Sequence, residues 1–248
     1  MRSRWLLFVV ATMLASAACS DGDSKATPST STTTSTQATT TTTSTTTTTA
    51  VDASADQARA GELVLKPGDL PAGWTVEPAE PDDPSDTSDE ELAACIGATD
   101  PNATETAFVN GSTFHMGGGI NVSSNASFVE TVEDAQTDLA AIKSDKFIPC
   151  AEAVFTEFLQ AEFEGQEVVV QDLQISPITV PSVGDETLGF RADLSLSVEG
   201  DVQPFVLDIV LILEGRAELT VEFFSAAQPF DPVLRDALIG KVGDKLAV

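Results

Sequence analysis

From residue 188 to residue 223 the chain alternates apolar and polar side chains with a period of two. Leu188, Phe190, Ala192, Leu194, Leu196 and Val198 are separated by Arg191, Asp193, Ser195 and Ser197, the pattern of a strand with one face in a core. Glu199-Gly200-Asp201 reads as a turn, and Phe205, Leu207, Ile209, Leu211 and Leu213 continue the inward face. After a second turn at Glu214-Gly215-Arg216, Ala217, Leu219, Val221 and Phe223 complete a predicted three-strand antiparallel meander. Upstream, Ile120, Val122, Ser124, Ala126 and Phe128 alternate with Asn121, Ser123, Asn125 and Ser127, which predicts one face inward and the other in water. Val168 to Ile175 is a weaker strand ended by Pro177, and Leu63-Val64-Leu65 reads as a short strand before Pro/Gly turns that set Trp74 against the core.

Apolar spacings of three and four predict helices between these strands. Ser88 with Glu91 forms a capping-box pattern opening a short helix through Leu92, Cys95 and Ile96 that stops at Gly97. A second helix starts at Thr131 and carries Ala135, Leu139 and Ile142; a third starts near Pro149 and carries Ala153, Val154, Phe155, Phe158, Leu159 and Phe163. Asp231 as N-cap and Pro232 at the first helical position open a last helix, with Leu234, Leu238, Val242 and Leu246 facing the sheet. Together these elements predict one α+β domain over residues 62–248, with helices packed on an antiparallel sheet.

Charge then narrows the function. Twelve Lys+Arg against 39 Asp+Glu give a formal net charge of -27. A nucleic-acid binder needs the opposite balance, so that partner is excluded. Between Glu77 and Glu91 stand eight acids, three prolines and no base. The ligand order of an EF-hand is absent there, so the run reads as a solvated loop and nominates no metal ligand.

The amino terminus is an export signal. Arg2 and Arg4 precede an apolar stretch from Trp5 to Leu14, then Ala15-Ser16-Ala17-Ala18 before Cys19. These residues resemble the lipobox of bacterial lipoproteins, which implies a signal peptide over residues 1–18 and a lipidated Cys19 holding the chain at the outer face of the membrane. Ser16 stands where that pattern usually has Leu; the alternative is cleavage after Ala17 and a secreted chain. Residues 19–61 are the anchor and a linker, nearly all Thr and Ser from Thr27 to Thr49, with too few apolar groups to form a core. With Cys19 lipidated, Cys95 and Cys150 remain, both at helical positions; in an exported chain they are expected to form a disulfide.

Several segments together resemble actinobacterial cell-envelope lipoproteins: the signal, the cysteine, the Thr/Ser stalk, Asp69-Leu70-Pro71-Ala72-Gly73-Trp74, Cys95-Ile96-Gly97, Phe147-Ile148-Pro149-Cys150 and Val183-Gly184-Asp185-Glu186. More distantly they are similar to extracellular sensor domains of actinobacterial serine/threonine kinases, and to small envelope lipoproteins with the fold of the photosystem extrinsic protein. The resemblance implies fold and location and leaves function open.

Catalytic signals are sparse. His115 is the only histidine, and His115-Met116-Gly117-Gly118-Gly119 resembles a lipase oxyanion segment, but no G-x-S-x-G elbow accompanies it. No catalytic, cofactor or metal residue is nominated, and a non-enzymatic domain is expected. One apolar excess remains: Val206, Val210 and Ile212 lie on the second face of the central meander strand, beside Arg191. This patch is either covered by a helix or is a groove for a small or hydrophobic ligand. Arg191 would then face an anionic head group, or pair with Asp208 or Glu218. The expectation is a lipid-anchored, ligand-binding sensor or carrier; the alternative is a surface protein-interaction or structural module, and a hydrolase is more remote.

Overall fold

The computed structural model describes residues 51–79, 88–100 and 103–247. The expected signal peptide, Cys19 and the Thr/Ser tract lie outside the described residues, as does most of the acidic run. In chain order the elements are helix α1 (Ala53–Leu63), strand β1 (Thr75–Glu77), helix α2 (Ser88–Ile96), and strands β2 (Glu105–Asn110), β3 (Thr113–Met116) and β4 (Ile120–Val129). Then come helices α3 (Val132–Ile142) and α4 (Phe147–Glu162), strands β5 (Val168–Pro177), β6 (Glu186–Val198), β7 (Asp201–Glu214) and β8 (Ala217–Ala226), and helix α5 (Pro232–Leu246). The strands form one eight-stranded antiparallel sheet in the order β1-β3-β4-β8-β7-β6-β5, with β2 pairing with β4 beside β3. This is the α+β architecture expected.

Turn geometry decides which side chains share a face. Glu199 and Gly200 both have positive φ, 53° and 95°, the conformation of a two-residue hairpin turn matched to strand twist. That turn pairs Phe190 with Ile209, and the next, around Gly215, pairs Ile209 with Glu222 and Val210 with Val221. A two-residue turn always sets an odd-numbered residue opposite an even-numbered one. Leu219, Val221 and Phe223 therefore do not continue the face of Leu207, Ile209 and Leu211, as the alternation predicted; they join Val210 and Ile212 on the other side. Rows such as Phe190–Ile209–Glu222–Ser123 and Leu188–Leu211–Thr220–Asn125 cross the first face, so that face is apolar on β6 and β7 and polar on β4 and, apart from Phe224, on β8.

Helices cover both faces. On the first, Leu92 of α2 and Phe147, Phe155 and Leu159 of α4 pack on Phe190, Leu194, Ile209 and Leu211. On the second, Ala60 and Leu63 of α1 and Leu238, Ile239 and Val242 of α5 pack on Val122, Val210, Ile212, Leu219 and Phe223. The expected solvent face of β4 is buried too, at Asn121, Ser123 and Ser127. Each core therefore rests on apolar side chains from several strands, which bury their surface jointly.

Residues 53–61, expected as the end of the linker, are helical. Asp52 Oδ1 accepts from the Ser54 and Ala55 amides as N-cap. Asp56, two turns before Leu63, is buried and bonds through both carboxylate oxygens to Arg216 and through Oδ2 to the Thr106 hydroxyl. The domain thus begins about ten residues earlier than the expected start at residue 62. Leu63-Val64-Leu65 is buried but forms no ladder; the Leu65 amide donates instead to Ser124 Oγ at 2.8 Å. Helix α3 has Thr131 as N-cap with a reciprocal bond to Asp134, and α4 starts two residues before Pro149. Trp74 packs toward Phe230, ring centroids 6.3 Å apart.

Candidate functional site

The proposed groove on β7 is filled. Val210 and Ile212 are 0% and 2% exposed beneath α5, and Val206 is buried as well. Arg191 faces Asp208, its Nε and Nη2 donating to the two carboxylate oxygens at 2.6 and 2.8 Å. Arg235 of α5 donates Nη1 to the same carboxylate at 3.0 Å and Nη2 to the Thr179 carbonyl. Asp208 is fully buried, and two guanidiniums compensate its desolvation. Because α5 turns Arg235 inward, its buried face runs through Arg235, Leu238, Ile239 and Val242, rather than through Leu234 and Leu246. Among the described residues, α5 covers Val210 and Ile212.

The first face carries a cavity. Helices α2, α3 and α4 stand over β5, β6 and β7 and leave a half-open cavity of about 70 Å³ lined by Leu92, Ala93, Ile96, Ala141, Ile142, Phe147, Ala151, Ile175, Phe190, Ile209 and Leu211, with Ala98 and only Asp89, Thr99 and Asp138 as polar members. One water needs only ~10–15 Å³ of such space, and an apolar cavity offers it few partners. A wider depression of about 540 Å³ outside the same wall shares Ile142 and Phe190 but has a mixed lining that includes Lys143 and Asp145. Cys95 and Cys150 are bonded, Cα–Cα 5.8 Å, and join α2 to α4, two of the helices that line the cavity. The Cys95–Cys150 expectation is met, with a role in holding these walls together.

Beside the cavity runs an acidic band that the alternation assigned to the outside. Glu218, Thr220 and Glu222 occupy successive inward positions on β8, all 5% exposed or less. Burial pushes the Glu222 carboxyl up to about 7, opposed by the Ser123 hydroxyl, which donates to it at 2.9 Å. Burial first, then the charges of Asp138, Glu105 and Asp134, push Glu218 up to about 8, with Ser127 opposing. Asp138, on the cavity wall, is raised to about 6 by burial and by Asp134. Thr220 Oγ1 is buried with no hydrogen-bond partner among the described residues. A polar run on a strand flanked by β4 and β7 was the available signal, since an interior strand has both faces available for burial.

His115 lies in β3 between β1 and β4, its Nδ1 2.6 Å from Asn121 Oδ1 and its Nε2 2.8 Å from Glu77 Oε2. These contacts hold the ring between two strands.

No protein-family model matches the chain, and no curated protein matches it significantly in sequence. Among solved structures, the extracellular domain of PknH from Mycobacterium tuberculosis is similar at 11% identity and a TM-score of 0.39, over 77% of this chain and 96% of that one. LpqN of the same organism, involved in cell envelope biogenesis, is similar at 14% identity and a TM-score of 0.24, over 71% of this chain and 78% of that one. They are a kinase extracellular domain and a cell-envelope protein, the two kinds named by the sequence resemblance. At these scores the likeness says nothing about ligands.

Proposed function

We propose that the protein is a non-enzymatic envelope lipoprotein, anchored through Cys19 at the outer face of the membrane, whose domain holds a small hydrophobic ligand between the sheet and helices α2, α3 and α4. The observation that carries this reading is the cavity of about 70 Å³ with an apolar lining from six elements. Apolar walls open to water are costly, and an apolar ligand seated there removes that surface from solvent. The disulfide joining α2 to α4 supports an oxidising, extracytoplasmic location. Native mass spectrometry of the mature chain, with solvent extraction of the same sample, tests the reading. A hydrophobic adduct that disappears when Ala141→Leu narrows the cavity is expected. An adduct unaffected by that change, or a bare chain that also takes up no n-octanol, would overturn it.

A further inference from the structure

Helix α3 is the lightly held wall of the cavity. Cys95 of α2 and Cys150 of α4 lock the other two helices together, whereas α3 rests on its own inner stripe. At helical spacing that stripe is Ala135, Asp138, Leu139 and Ile142. Ala135 and Leu139 pack on Val129 and Leu213, while Asp138 and Ile142 line the cavity. At the C-terminal end Lys143 bonds Glu186 at 2.6 Å, but both side chains are exposed, and such pairs contribute little. The outer flank, at Val132, Gln136 and Ala140, borders an open depression of about 490 Å³. The helix therefore has space on both sides.

On the sheet the stripe meets acid. Strand register sets Glu218 between Ser127 of β4 and Leu213 of β7, and Glu105 of β2 opposite Val129; Leu213 and Val129 are the residues on which α3 packs. Glu218 is buried. From α3 it meets the charges of Asp138 and Asp134, from β2 that of Glu105, and from β4 the Ser127 hydroxyl, 3.5 Å away. No lysine, arginine or histidine occurs in α3, β2, β4, β7 or β8. The bases next to α3 and β8 in the chain are engaged: Lys143 with Glu186, and Arg216 with Asp56 and the Val129 carbonyl. Carboxylates crowded in a buried interface without a base cannot all ionise. Burial first, then the neighbouring acids, push Glu218 up to about 8, and burial with Asp134 pushes Asp138 up to about 6.

We propose that α3 is a proton-latched wall: it seats on the sheet while Glu218 and Asp138 hold their protons, swings off as they ionise, and so opens the cavity from the α3 side as pH rises. The step from a moving helix to ligand release rests on the cavity reading; the seating of the helix does not. Seated, the two carboxyls keep protons that they would lose near their ordinary values, 4.5 and 3.8, once α3 lifts and water reaches them. Seating is therefore fully favoured below those values and is lost as pH rises through about 6 and about 8. A ligand in contact with Ala141 and Ile142 binds the seated form alone, so it closes the latch.

Hydrogen exchange of the mature, disulfide-bonded chain at pH 5.5 and 7.5, corrected for the intrinsic pH dependence of exchange, reads the seating directly. Protection of the α3 amides should fall by ~10- to 100-fold between the two pH values, more than that of α4 or α5. In Glu218→Gln most of that fall should vanish, whereas Glu222→Gln, four residues further along β8, should retain it. At pH 7.5, n-octanol at about ten times its Kd should restore α3 protection about tenfold. Unchanged α3 protection across the pH range, or an equal fall in Glu218→Gln, overturns the latch and leaves the cavity reading intact. A fall that bound octanol does not reverse overturns α3 as the gate of the cavity; a fall with no octanol binding at all removes the cavity reading and leaves the latch standing. Should Glu218→Gln fail to fold, Asp138→Asn removes the other proton of the pair and is expected to reduce the same fall.

Discussion

Glu222 offers a quantitative handle on the domain's interior. Its carboxyl is 2% exposed, has the Ser123 hydroxyl as its donor, and is raised from an ordinary value of 4.5 to about 7. In the unfolded chain the group ionises near its ordinary value, whereas in the folded domain it stays protonated until higher pH. The stability it contributes is therefore fully present below pH 4.5 and is lost as pH rises through about 7. At ~1.4 kcal/mol per pH unit of displacement, the folded state gives up about 3 kcal/mol across that window. Glu222→Gln keeps the shape and an acceptor for Ser123 but cannot ionise. Urea unfolding of both proteins should give similar stabilities at pH 4.5 and a variant about 3 kcal/mol more stable at pH 8, a midpoint difference of roughly 1–2 M urea. Other carboxylates, including Asp56 and Asp69, titrate alike in both proteins and cancel from the comparison. A midpoint difference that is the same at both pH values, or a variant less stable at pH 8, would refute the buried, base-free environment assigned to Glu222.

Three further outcomes are expected. Cys95→Ser with Cys150→Ser removes a cross-link spanning 55 residues and should lower stability by up to ~4 kcal/mol in the chain-entropy model, measured by urea unfolding, with α2 losing amide protection before β7. Arg235→Ala leaves the fully buried Asp208 with Arg191 as its remaining partner and should cost about 3 kcal/mol in the same assay; Asp208→Leu combined with Arg235→Met should cost much less. Burial works to raise the Asp56 carboxyl, but the bonds from Arg216 and Thr106 outweigh it and hold the group below its usual range. Its contribution is present above the ordinary carboxylate value and lost as pH falls through the lowered one, so hydrogen exchange should find α1 loosened in acid, and Asp56→Ala should produce the same loosening at neutral pH.

Local signals were legible where a short segment carries its own punctuation. Glu199-Gly200 and Gly215 mark the meander turns, Thr131 caps α3, and Asp231-Pro232 opens α5, each close to its expected place. Helix α1 was not legible, because its buried face consists of Asp56, Ala60 and Leu63, and an acid that meets its arginine 160 residues later reads as solvent-facing. Strand β8 misled for a different reason: its apolar residues fit the meander, but turn parity places them on the opposite face and sends Glu218, Thr220 and Glu222 inward. In the patch of Val206, Val210 and Ile212, α5 covers Val210 and Ile212, with Arg235 buried at the contact. The cavity had no motif to read, since its walls meet only after α2, α3, α4 and three strands have packed.

The two faces of the sheet make opposite predictions for a hydrophobic probe, and a methyl-resolved NMR titration of the mature chain with n-octanol compares them in one sample. Saturable shifts at Leu92, Ile142, Ile209 and Leu211, with Val210, Ile212 and Leu238 unmoved, are the result this account predicts. Shifts centred on Val210, Ile212 and Leu238, or none that saturate, would contradict it.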